Sequence, residues 1–140
     1  MKKLSILIAD DAPEVCSLLS HWLRAHHTAC VHSGADALTA ITLLHFDLII
    51  TDIHMPDVSG LDVIRRVKQS QPWVKVLAIS GGSRYLSASA GVAQAAEIGA
   101  DGIILKPFDE ERLLMRVNAC WDSEPSAASA APDRLEVSIS

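Results

Sequence analysis

No stretch of this 140-residue chain approaches the roughly 18 consecutive apolar residues of a membrane-crossing helix. The N-terminal MKKLSILIADD carries two lysines and an apolar run, but that run is too short for a signal-peptide core and two aspartates close it. A soluble, cytoplasmic protein with no membrane partner is therefore expected. The chain also lacks a Lys/Arg run or basic stripe, and its formal net charge is -5. Phosphate backbones would find little to meet, so no nucleic-acid partner is expected for this domain. Cysteine is scarce: Cys16, Cys30 and Cys120 are an odd number without framework spacing, which excludes a disulfide scaffold. Each lies in an apolar pattern and reads as a small buried hydrophobe. The six histidines form no metal site. His26 and His27 are expected at a helix end, where the helix dipole favours them.

What the chain does have is apolar residue in quantity, 49% of the total, enough for the core of one domain. Strands are expected at 4–9, 28–32, 47–51, 74–80 and 102–106. Helical patterns fill 13–26, 34–44, 59–69, 86–98 and 109–121. Pro13 suits a first helical turn, where its missing N–H costs nothing. Ser33 or Gly34 caps the second helix, Gly99 ends the fourth, and Asp109 caps the fifth. Five β-α units in strict alternation imply a parallel sheet covered by helices on both faces, an α/β doubly wound architecture. Their order along the chain suggests the first and last strands as edges. The domain is expected over 1–121. The segment 122–140 is Ser/Ala/Pro-rich and reads as a linker-like tail, with LEVSIS at its end as a candidate edge strand.

The strand ends carry the chemistry. Strand one runs into Asp10 and Asp11, strand three into Asp52, strand four into Ser80 and strand five into Lys106–Pro107. In such a sheet, ligands bind beyond the carboxyl ends of the strands. Three carboxylates there repel unless one is protonated or a cation joins them. Oxygen-only ligands favour Mg²⁺, with Mn²⁺ as a second choice, over zinc. Mg²⁺ leaves room for a phosphoryl oxygen, Ser80 offers a hydroxyl and Lys106 a point cation. Together these are parts for phosphoryl transfer, with Asp52 as the nucleophile forming an aspartyl phosphate.

These residues, the motif TDIHMPDVSG around Asp52 and KPF at 106–108 make residues 3 to 121 resemble a receiver domain of two-component response regulators. The resemblance implies a flavodoxin-like (βα)5 sheet in the order 2-1-3-4-5. It implies that Asp52 takes its phosphoryl group from a phosphohistidine in a Mg²⁺-dependent reaction. Asp11, Asp52 and the backbone carbonyl of His54 would ligate the metal, and Asp10 would act through a metal-bound water. A cis peptide is implied at Lys106–Pro107. The implied partners are a sensor histidine kinase or histidine phosphotransfer protein, and a downstream protein target; a homodimer stays open. The chain after 121 leaves no room for a helix-turn-helix, so output through protein contacts or phosphorelay is expected. Catalysis beyond its own phosphorylation and dephosphorylation is not.

Two departures from the family pattern stand out. Ile103 occupies the position where receivers usually carry Tyr or Phe, and the interval from Ser80 to Lys106 is longer than usual. The extra residues lie in GGSRYLSASAGV, where Arg84 either reaches the phosphoryl oxygens or is solvated. Tyr85 either replaces the missing aromatic or caps the fourth helix against the sheet. Because Ile103 lacks reach and a polar tip, the signal is expected to leave through this loop, with Gly81 and Gly82 as its mobile points. His54 either shapes water access or is a plain exposed side chain. Val15 and Leu18 either line a docking edge beside the site or belong to the core. Two rival readings remain. A haloacid-dehalogenase-type phosphatase places its nucleophile on strand one with an acid two residues on, and Asp10-Asp11-Ala12-Pro13 does not match. A degenerate receiver acting as a phosphorylation-independent binding module is disfavoured because all five key positions are filled.

Overall fold

The computed structural model describes residues 3–81 and 88–122, the side chains of 88–92 excepted. Five βα units follow in order: β1 Ser5–Ala9, α1 Pro13–Trp22, β2 His27–Val31, α2 Gly34–Leu43, β3 Leu48–Asp52, α3 Gly60–Ser70, β4 Lys75–Ser80, α4 Ala88–Glu97, β5 Gly102–Leu105 and α5 Glu110–Asp122. The strands form one parallel sheet in the order β2-β1-β3-β4-β5. β1 is therefore internal and β2 is the edge, against the expectation from chain order and in agreement with the order implied by resemblance. Burial explains the placement. β3 and β4 are buried at every position, and β1 at all but its first. β2 is buried at none, so it belongs on the rim.

The period of two sorts each strand onto two cores. Ile6, Ile8, Leu48, Ile50, Leu77 and Ile79 face Cys16, Leu19, Leu113 and Val117 of α1 and α5. Leu7, Ala9, Ile49, Val76 and Ala78 face Ala37, Ile41, Val63, Ile64 and Ala95 of α2, α3 and α4. Each fully buried Ile or Leu contributes about 1.5–3 kcal/mol. A nearly buried ion pair ties α3 to the loop before β5. Lys68 Nζ lies 2.7 Å from Asp101 Oδ2, which also accepts the Val76 amide at 2.8 Å.

The helix ends follow their local chemistry. Ser33 caps α2 by accepting the Asp36 amide, and Ser59 and Asp62 form a capping box on α3. Asp109 accepts the Arg112 amide at 2.9 Å. Gly99 has φ +106°, as a residue just past a helix requires.

Three expectations are corrected. α1 stops at Trp22 rather than 26, because the chain must turn in time for His27 to open β2 opposite Ser5. His26 lies in that turn, not at a helix end. It is 9% exposed, and its Nδ1 accepts the Leu4 amide at 3.0 Å. Cys30 is exposed rather than buried, since it lies on the edge strand; Cys16 and Cys120 are buried as expected.

Burial, assisted by the charge of Lys3, holds the His26 imidazole below its usual pKa. The unfolded chain then takes up a proton before the folded one as pH falls. This contribution to stability is complete above about pH 6.5 and is lost below it. Denaturant titrations at pH 7.5 and 5.5 are expected to show wild type losing more stability between them than His26→Ala. At pH 7.5 the variant should be weaker by about 1–3 kcal/mol, the cost of an unsatisfied buried amide. Equal pH dependence in the two proteins would refute this role.

Candidate functional site

The site is assembled where β1, β3, β4 and β5 end. Asp10 follows β1 directly. Its amide donates to the Val31 carbonyl at 3.1 Å, and its Oδ1 accepts the Ala12 amide at 2.9 Å, which turns the chain into α1. It is 1% exposed, whereas Asp11 is open to solvent. Asp52 is the last residue of β3 and is buried. Its Oδ1 accepts the His54 amide at 3.0 Å, and its Oδ2 lies 3.2 Å from Lys106 Nζ. Lys106 follows β5, donates its amide to the Ser80 carbonyl at 2.9 Å, and brings Nζ to 4.0 Å from Asp10 Oδ2. Ser80, fully buried, ends β4. The Lys106–Pro107 peptide is cis, as the resemblance implied.

One carboxylate oxygen from each of Asp10, Asp11 and Asp52 lies within 4.8 Å of the others. Asp10 Oδ2 is buried and has no hydrogen-bond partner among the described residues. An oxygen-only set with one orphaned buried oxygen fits a hard divalent cation. Burial raises the Asp10 carboxyl above its usual value, opposed by the Ala12 amide; the charges of Asp52 and Asp11 raise it further and Lys106 lowers it.

Sequence reasoning missed the supports of this cluster. A Cβ added at Gly60 would collide with the Asp52 carbonyl, and one at Gly34 with the Val58 carbonyl. The N-termini of α3 and α2 therefore press directly on the β3–α3 loop. Asp57 in that loop has φ 66°, a conformation Asp tolerates better than most residues. The turn-rich sequence PDVSG was the available signal. His32, with Nδ1 3.2 Å from the Asp10 carbonyl, had none beyond its position after β2. Gly81 lies against the Lys106 stem, where an added Cβ would come 3.0 Å from its Cδ.

His54 is half-buried, with Nε2 unpartnered among the described residues. Leu18 is exposed and Val15 half-buried against the α1–α5 core. Ile103 is half-buried, packs toward the α2–α4 side and pairs with Ala78. Gly82, Arg84, Tyr85 and the remainder of 82–87 lie outside the described residues, as do 123–140 with LEVSIS.

A doubly wound parallel sheet with three carboxylates and a lysine gathered at its strand ends defines a phosphoacceptor signalling domain. The family described as the response regulator receiver domain matches residues 6–118, and the chain belongs to it. The DNA-binding response regulator MtrA of Mycobacterium tuberculosis is 32% identical over 139 residues, 96% of this chain and 58% of that protein. Response regulator ArlR of Staphylococcus aureus is 31% identical over 122 residues, 86% of this chain and 53% of that protein. The BeF3-activated DrrB receiver domain superposes with a TM-score of 0.76 at 26% identity, covering 87% of this chain and 100% of that one. The chain thus spans about half the length of the curated relatives it matches.

The MtrA relatives overturn the expectation of no nucleic-acid partner. The net charge of -5 is that of a chain covering 58% of a relative whose name describes it as DNA-binding. Charge balance in one part of a protein does not constrain the partners of the rest.

Because the folded state raises the Asp10 pKa, the unfolded chain releases that proton first as pH rises above the usual carboxylate value. Asp10 therefore subtracts stability at neutral pH and not at acid pH. In metal-free buffer, Asp10→Asn is expected to melt higher than wild type at pH 7, with the gap closing toward pH 3.5. Calorimetry in the presence of a chelator reads this directly; a lower melting temperature at pH 7 would contradict it.

Proposed function

We propose that Asp52 accepts a phosphoryl group from a phosphohistidine on a partner protein, a sensor histidine kinase or a histidine phosphotransfer protein. The observation that carries this reading is the convergence of the Asp10, Asp11 and Asp52 carboxylates within 4.8 Å, with Lys106 Nζ 3.2 Å from Asp52. In the transfer, an Asp52 carboxylate oxygen forms a bond to phosphorus as the P–N bond breaks, and the departing imidazole takes up a proton. The His54 amide and Lys106 hold the Asp52 carboxylate in place beforehand. Lys106 balances the charge that arrives on the phosphoryl oxygens, and the Ser80 hydroxyl donates to one of them. Asp10, Asp11, Asp52 and the His54 carbonyl would hold Mg²⁺, or Mn²⁺ in its place. When bound, that cation supplies charge neutralisation between carboxylates and phosphoryl oxygens.

The chemistry is confined to the protein's own phosphorylation and dephosphorylation, in the cytoplasm. No helix of the described residues is long and apolar enough to cross a membrane. The receiver is read as 1–121, with its last helix running on to Asp122, and the Ser/Ala/Pro-rich remainder to 140 as a tail. The MtrA relatives support a role in DNA-directed output, with this domain as the phosphorylated input. Signalling through protein contacts remains the immediate consequence of phosphorylation.

Incubation with acetyl phosphate and Mg²⁺ is expected to add one phosphoryl group per chain by intact mass, and Asp52→Asn none, while circular dichroism stays native. A stoichiometric, acid-stable label on the variant would sink the assignment. Mg²⁺ binding only the native state raises its melting temperature, by an increment that grows with metal concentration. Asp11→Ala should lose that response; retaining it in full would move the metal elsewhere.

A further inference from the structure

The seam between α1 and β2 carries a pair of thiols that phosphoryl transfer does not use. In β2, Cys30 stands in register with Ile8, a residue of the core beneath α1 and α5. The period of two puts Thr28 and Cys30 on that same face. Cys16 and Ser20 of α1, one turn apart, meet them there. Ser20 Oγ lies 3.1 Å from Cys30 Sγ and accepts from Thr28 Oγ1 at 3.3 Å. Cys30 Sγ donates to the Cys16 carbonyl at 3.6 Å, and Cys16 Sγ lies 3.6 Å from the carbonyl of Val31, the residue after Cys30. Their access differs: Cys30 is exposed at the sheet edge, whereas Cys16 is 1% exposed. An open thiol backed by a sheltered one is the arrangement of an attacking cysteine with its resolving partner.

We propose that Cys16 and Cys30 are a peroxide-oxidised pair that closes into a reversible disulfide between α1 and β2. The Cys30 sulfur attacks a hydroperoxide: an S–O bond forms, the O–O bond breaks, and the released oxygen leaves as water or alcohol with the thiol proton. Cys16 then attacks the sulfur of the resulting sulfenic acid. The S–S bond forms, the S–O bond breaks, and hydroxide departs as water with the Cys16 proton. Two thiols are oxidised and one peroxide is reduced.

The crosslink bears on the acid cluster. The single hydrogen of the Cys16 thiol is shared between the Asp10 carbonyl at 3.5 Å and the Val31 carbonyl at 3.6 Å. A disulfide sulfur has no hydrogen to donate, so oxidation removes a tether from Asp10. This consequence rests on the reading of Asp10 as part of the cation site, whereas formation of the disulfide does not.

The full chain is treated with hydrogen peroxide, and its peptides are mapped without reduction. A Cys16–Cys30 peptide is expected, absent after dithiothreitol and formed equally in Cys120→Ser. In Cys16→Ser, Cys30 should instead accumulate a sulfenic acid that dimedone traps. Dimers linked through Cys30, or Cys30 driven to sulfinic acid while Cys16 remains a thiol, would overturn the pairing. With Mg²⁺ as the probe, the oxidised chain should show a smaller rise in melting temperature than the reduced chain. Equal rises, in a reduced chain that does respond, would overturn the coupling to Asp10.

Discussion

Carboxylates crowded at the ends of parallel strands are stable only where positive charge shares the space, and this constraint organises the site. Asp10 and Asp52 are both buried, and with Asp11 they bring ligand oxygens within 4.8 Å of one another. Among the described residues, Lys106 is the cation that reaches them, at 3.2 Å from Asp52 and 4.0 Å from Asp10. Its reach depends on β5 pairing with β4, since its amide is anchored on the Ser80 carbonyl. Burial, and after it the charges of Asp52 and Asp11, raise the Asp10 pKa although Lys106 lowers it. An oxygen-only cluster with a buried, unpartnered Asp10 Oδ2 among the described residues fits a divalent cation.

The surrounding fold holds these strand ends still. The N-termini of α2 and α3 approach the loop after Asp52 so closely that Gly34 and Gly60 have no room for a side chain. The Lys68–Asp101 pair joins α3 to the entry of β5, and because both side chains are nearly buried, removing either one leaves an uncompensated charge. Strands β1, β3 and β4, buried on both faces, form the centre of the sheet. The edge strand β2 is the solvent-facing rim of the sheet, and the exposed thiol lies there.

Family membership and physical reading converge on the receiver but differ in range. The residue pattern and the match over 6–118 concern one domain. The nucleic-acid question turned on relatives in which this domain is about half of the chain. Surface charge within a receiver carries no information about a segment elsewhere in such a protein, which is why the composition argument failed there.

Five alternating βα units, the parallel sheet, the caps at Ser33 and Asp109, and the set Asp10, Asp11, Asp52, Ser80 and Lys106 were all legible in the sequence. Periodicity and turn residues are local properties, and each of these candidate residues sits immediately beside an apolar run that announces a strand end. The strand order was legible only through family resemblance; chain order alone put β1 at an edge. Other features were decided by tertiary structure. α1 ends early because β2 must open opposite Ser5, and His26 is buried because the Leu4 amide needs an acceptor. Cys30 is exposed because its strand became the rim. Gly34 and Gly60 matter because of backbones brought close from elsewhere in the chain. These are contacts between residues distant in sequence, and no local pattern encodes which partner a residue will meet.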